Sequence, residues 1–303
     1  KTLVEKKNWH NLCLRLFRKI ISNIKSLLIS SFVLLFPLAM NNKWHPNCHV
    51  SYTAAGKNDI NGRQFNNSII NGYALQPIIN KMRKADSSLV LIKVLHIGDS
   101  HIKSGYFSQP FMEKLNSYYA EKFRGHLFFN FQVFCKTGTK YSDYNGLAEL
   151  DNQLVREKPD LVIISLGTND SFSGSSRLNF YEKIDHLVTK IKTLSPQSEF
   201  LFTTPSDALK KNTITGSYMA LPELQYVVDM IIKYANDHSL AYWDLYQVMG
   251  GAYSINTWYQ RNLATADRVH FTAKGYTMFA DWLFHAFSSC LENNNPKPFI
   301  FHL

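Results

Sequence analysis

Four short segments carry side chains that could act together on an ester: Gly98-Asp99-Ser100-His101, Lys136-Thr137-Gly138-Thr139, Gly167-Thr168-Asn169-Asp170 and Asp267-Arg268-Val269-His270. Acyl transfer needs a nucleophile, a base to take its proton, a group that orients the base, and donors aimed at the developing oxyanion. Ser100 supplies a hydroxyl, and its own N–H would point into the cleft from a helix start. His270 is the candidate base. Asp267, three residues earlier, can fold back within one turn and hold the imidazole by Nδ1. Gly138 has no side chain, so its N–H can approach a substrate oxygen closely. Asn169 offers a neutral NH2 donor, which stabilises an anion without titrating. A Gly-Asp-Ser tripeptide alone is a weak signal, and the convergence of four segments carries the weight.

These residues need a scaffold that brings them to one rim. From Ser88 onward, apolar strands alternate with helical patterns. Strands are expected at Leu89–Ile97, Leu127–Phe134, Leu161–Leu166, Phe200–Thr204 and Leu240–Trp243. Helices are expected at Tyr106–Phe123, Ser142–Arg156, Phe180–Leu194, Leu221–His238 and Ala273–Leu291. Strands that are apolar on both faces and separated by helices predict a parallel sheet covered on each side. In such folds the site lies beyond the carboxyl ends of the strands. Each of the four segments falls after a strand or just before the last helix.

In order along the chain, the four segments resemble the sequence blocks of the SGNH (GDSL-type) hydrolase superfamily. The resemblance covers about residues 88–290. It implies a flavodoxin-like three-layer α/β/α sandwich with a central parallel sheet. It also implies Ser100 as nucleophile, Asp267 and His270 as the rest of a triad, and Gly138 and Asn169 as oxyanion donors with the Ser100 amide. His101, where Leu is usual, looks most like the GDSH variants among bacterial envelope carbohydrate esterases, including peptidoglycan O-acetylesterase-like proteins. The stretch from Trp243-Asp244-Leu245-Tyr246 to Trp258 resembles that subgroup too. The block around Gly138 departs from the family, whose members more often show Asn and Gly-Ala there. The expected activity is removal of acyl groups, chiefly O-acetyl, from a polysaccharide or small ester, with no metal and no cofactor. The same triad would serve an O-acetyltransferase or a lipid-type esterase. A non-catalytic carbohydrate-binding protein on this scaffold is the reading from another class. The small, polar loop 167–177 favours a sugar over a lipid.

Other residues have plainer uses. Asp99 is expected to bond local backbone N–H groups, Asp170 to brace the turn that aims Asn169, and His96 to be a satisfied core histidine. Asp244 competes with Asp267 as the orienting acid but is remote in sequence from His270. His101 and Trp258 are candidate substrate contacts, and Trp243 could also stack on a sugar ring, though core packing is the commoner use of such a residue. Lys136 and Lys140 could draw an anionic glycan, though solvated lysines are the default.

Composition bounds the rest. The formal net charge is +10 over 303 residues. Residues 1–45 hold eight Lys or Arg against one acid, so most of that charge sits in the leader. The near-neutral body argues against nucleic-acid binding. The cysteines at 13, 48, 135 and 290 form no metal-ligand spacing. Residues 27–40 form an uncharged apolar run behind a basic segment, the pattern of an export signal or retained anchor. It is short for a full membrane span. The expected organisation is a signal or anchor at 1–42, a linker and lead-in helix at 43–87, a hydrolase domain at 88–292 and a tail at 293–303. The body is expected to be a monomer outside the cytoplasm, touching membrane only through the leader.

Overall fold

The computed structural model describes residues 66–174 and 177–293. The expected leader at 1–42 and residues 294–303 of the tail lie outside that range. Among the described residues there are seven strands: β1 (Val90–Gly98), β2 (Leu127–Cys135), β3 (Leu161–Ser165), β4 (Glu199–Thr203), β5 (Leu209–Lys211), β6 (Tyr218–Ala220) and β7 (Ala241–Trp243). The helices are α1 (Gln76–Met82), α2 (Ser100–Lys103), α3 (Ser108–Lys122), α4 (Ala148–Glu157), α5 (Thr168–Phe172), α6 (Phe180–Leu194), α7 (Pro222–Asp237), α8 (Leu245–Val248), α9 (Ser254–Gln260) and α10 (Ala273–Asn293).

β1, β2, β3, β4 and β7 form a five-stranded sheet in the order β2-β1-β3-β4-β7, and every pair in it is parallel. Alternate residues of β1 feed two separate cores. Ile92 and Val94 pack with α1, α3 and α10, whereas Leu95 and Ile97 pack with α4, α6 and α7. The result is the three-layer α/β/α arrangement expected from strands apolar on both faces. All described residues fall within one unit, Ala54–Leu303.

The register sets where the site can be. Gly98 is level with Cys135 of β2 and with Ser165 of β3, Ser165 with Thr203 of β4, and Thr203 with Trp243 of β7. Five strand ends therefore share one rim. The chain leaves β1 for β2 on one side and later returns to β3 on the other, so the switch point lies between β1 and β3. Ser100 follows the first of those strands and Asn169 the second.

Several local results differ from the sequence pattern. The single helix expected over Ser142–Arg156 is a 3-10 turn, Tyr141–Gly146, followed by α4. Leu147 between them is extended (φ −90°, ψ 98°), which interrupts the helical run. The antiparallel hairpin β5–β6 and the short helices α8 and α9 carry no long periodic signal. At the other end, residues 66–73 hold to the body. Ile70 exchanges backbone hydrogen bonds with Tyr242, and Asn67 bonds both Trp243 and the Trp282 carbonyl.

Candidate functional site

The β1–α2 turn is tight because Gly98 lacks a side chain. A Cβ there would lie 2.1 Å from Ile102 Cγ1. Asp99 caps α2 by accepting from the His101 N–H at 3.0 Å. That cap leaves Ser100 as the first residue of the helix, at the sheet rim.

Ser100 Oγ lies 3.0 Å from His270 Nε2, although the two are 170 residues apart in sequence. His270 Nδ1 lies 2.7 Å from Asp267 Oδ2. The other carboxylate oxygen accepts from the Thr265 hydroxyl at 2.6 Å, the Val269 amide at 2.9 Å and the His270 amide at 3.0 Å. Burial pushes the Asp267 carboxyl up, but the hydrogen bonds from Thr265, the His270 ring and the two amides outweigh it. They hold the carboxyl well below the usual carboxylate range. An ionised Asp267 accepts from Nδ1 and so favours the imidazole tautomer that leaves Nε2 free to accept from Ser100. The pair remains open to solvent, with side-chain exposure of 39% for His270 and 49% for Asp267. Asp244 is elsewhere: it caps α8 and accepts from Thr204 at 3.0 Å.

The two remaining segments meet beside Ser100. Gly138 has φ +76°, a left-handed conformation that disfavours other residues, and a Cβ there would meet nothing within 4 Å. The amides of Ser100 and Gly138 donate to no other group among the described residues. Asn169 Nδ2 donates to Asp99 Oδ2 at 2.9 Å and to the Thr139 carbonyl at 3.1 Å. Asp99 thus joins the Ser100 turn to the Asn169 turn, a role beyond local capping. Gly167 (φ +123°) starts α5 where a Cβ would lie 2.9 Å from Val227 Cγ1. Asp170, buried and pushed up by burial to about 6, accepts from the Tyr141 amide at 3.3 Å. It ties the Asn169 turn to the segment after Gly138.

Two sequence expectations are corrected. Trp258 has no solvent exposure, so it cannot stack on a sugar. Its Nε1 donates to the Met249 carbonyl at 3.0 Å and its ring packs against Phe271, Phe279 and Trp282. His101 does not present a ring nitrogen to substrate. Nδ1 meets Tyr276 Oη at 3.0 Å, and Nε2 is buried without a hydrogen-bond partner. The ring stacks on His270 at 5.1 Å between centroids, and burial pulls its pKa down. His96 is satisfied in the core by Ser108 at 2.9 Å and Ser165 at 2.8 Å, and burial lowers it to about 3. Sequence reading missed Thr265 and Tyr276. The Thr265-x-Asp267 spacing is the only local signal for the first, and the second depends on tertiary contact.

A parallel α/β sheet with a serine–histidine–aspartate chain at its carboxyl rim has the architecture of a hydrolase of the serine type. Residues 96–278 match the GDSL-like Lipase/Acylhydrolase family, and the chain belongs to that family. The resemblance to the SGNH (GDSL-type) superfamily read from the four segments is therefore borne out, and the protein is a serine ester hydrolase. The fold is shared with a peptidoglycan O-acetylesterase at 16% identity (TM-score 0.65; 74% of this chain, 99% of that one). It is shared also with a two-domain esterase active on acetylated mannans, crystallised with mannopentaose, at 18% identity (TM-score 0.53; 75% of this chain, 56% of that one). No curated protein matches the sequence significantly.

Proposed function

We propose that the protein removes O-acetyl groups from an envelope or extracellular polysaccharide. The observation that carries this reading is the Ser100–His270–Asp267 chain, with contacts of 3.0 and 2.7 Å, beside unengaged amides at Ser100 and Gly138. Ser100 Oγ attacks the ester carbonyl while its proton passes to His270 Nε2. The amides of Ser100 and Gly138 receive the oxyanion, and Asn169 Nδ2 joins them by exchanging one of its two present acceptors. Collapse of the tetrahedral intermediate breaks the bond to the sugar oxygen, which takes the proton from His270. Water, deprotonated by the same imidazole, then attacks the acyl-enzyme, releasing acetate and restoring Ser100. Each step follows general triad chemistry.

Support for a glycan comes from the fold shared with esterases of acetylated polysaccharides and from the small, polar segment after β3. Support for export is the basic leader followed by the apolar run at 27–40, which lies outside the described residues. Among the described residues no helix is long and apolar enough to cross a membrane. The test is acetate release from p-nitrophenyl acetate and from acetylated glycans by wild type and Ser100→Ala. The expected result is turnover of both substrates by wild type and a loss of at least about a thousandfold in the variant. Equal rates would refute the assignment of Ser100.

A further inference from the structure

Arg268 sits inside the loop that holds Asp267 and His270, and its environment is unusual for an arginine. Its backbone is left-handed (φ +58°), a conformation that costs a branched or long residue energy and favours glycine or asparagine. Its guanidinium carbon lies 3.3 Å from the centre of the Tyr259 ring on α9 and 5.1 Å from that of Tyr218 on β6. Nε donates to Asn256 Oδ1 at 3.1 Å. The side chain is half-buried, yet no carboxylate pairs with it among the described residues. The neighbouring Asp267 is engaged on both oxygens by Thr265, Val269 and His270. Here two rings and an amide fix the plane of the fork, and the terminal Nη1 and Nη2 groups meet no acceptor among the described residues.

A planar fork held in this way fits a carboxylate bidentately. Consecutive Cα atoms are about 3.8 Å apart, so Arg268 starts within about 8 Å of the His270 backbone. One loop therefore carries both the arginine and the catalytic base. Lys103, one turn after Ser100, and Lys140, beyond the Gly138 turn, form no ion pair among the described residues and add positive charge. They would draw in an anion from a distance but would not orient it.

We infer that Arg268 forms a carboxylate subsite beside the triad, so that the substrate class is an acylated acidic glycan rather than a neutral one. This rests on the esterase reading above. The experiment compares the full chain and Arg268→Gln on three probes: p-nitrophenyl acetate, an acetylated oligogalacturonide, and the same oligogalacturonide with its carboxyls methyl-esterified. Wild type is expected to favour the free-acid oligosaccharide over its methyl ester by roughly tenfold or more in kcat/KM, chiefly through KM. Added salt should erode that preference. In Arg268→Gln the preference is expected to disappear, whatever the change on p-nitrophenyl acetate. A residue that merely braced the triad loop would lower turnover of both oligosaccharides by one factor and leave their ratio intact. No preference in wild type, or a preference that survives the substitution, overturns the subsite while leaving the esterase standing. Failure to cleave any probe, p-nitrophenyl acetate included, takes down both.

Discussion

Asp267 concentrates its hydrogen bonds unevenly. Three donors converge on one oxygen, which leaves the other to His270 alone. The first oxygen fixes the position of the carboxylate and the second fixes the tautomer of the ring. Asp267→Asn keeps the size but removes the charge and scrambles the tautomer, so kcat is expected to fall about ten-thousandfold with KM little changed. Thr265→Val removes one of the three positioning donors. Steady-state kinetics should show a loss of about tenfold or more in kcat/KM, the scale of one hydrogen bond to a charged acceptor. Asn169→Ala is expected to cost about a hundred- to a thousandfold in kcat. It also leaves the buried Asp99 carboxylate without one of its donors, so a modest fall in denaturation midpoint should accompany it.

At the level of elements, the site exists because strand ends share a rim and short turns leave it at one height. Gly98 is the tightest of these turns. In Gly98→Ala the new methyl meets Ile102 and the Ser165 carbonyl, so either α2 shifts or the turn opens. Urea unfolding should report a loss of about 1–3 kcal/mol, and activity should fall with it because Ser100 rides on α2. The strands were readable from sequence because each is a short apolar run on both faces. Phe180–Leu194 was readable to the residue because Ile184, Leu187, Val188 and Ile191 repeat with helical spacing. The hairpin β5–β6 was not readable. Its strands are three residues each, and Lys210 and Lys211 face solvent. Yet that hairpin anchors the triad loop, through Leu209 N–H to the Arg268 carbonyl at 2.9 Å and Tyr218 Oη to the Ala266 carbonyl at 2.6 Å. Site residues with a motif were legible for the same reason. Residues that act only through tertiary contact, such as Tyr276 on His101, or Tyr144 on the Gly98 carbonyl, left no pattern to read.

Across the molecule, two buried carboxylates shape the pH response. Burial raises Asp170 and Asp207 to about 6 each, against the partial relief of backbone hydrogen bonds. In the unfolded chain both titrate near 3.8. Between those values the folded state binds more protons than the unfolded one, so each group makes stability fall as pH rises from about 4 to about 6. The scale is about 2–3 kcal/mol per group. Asp207→Asn removes one of the two. Denaturation curves taken from pH 4 to pH 7 should therefore fall less steeply in the variant than in wild type. Identical slopes would mean that Asp207 stays ionised in the folded protein. Residues 1–45 carry most of the net charge, which is why the overall +10 says little about what the rest of the chain binds.

The most direct measurement is covalent capture of the nucleophile. An organophosphate such as paraoxon phosphorylates a hydroxyl, expelling 4-nitrophenolate, where a base removes its proton and an oxyanion site receives the developing charge. Intact-mass and peptide mass spectrometry of the treated protein should find one diethylphosphoryl adduct, on Ser100, formed in step with loss of esterase activity. The adduct should be absent in His270→Ala. Modification at another residue, or full inactivation with Ser100 unmodified, would contradict the account.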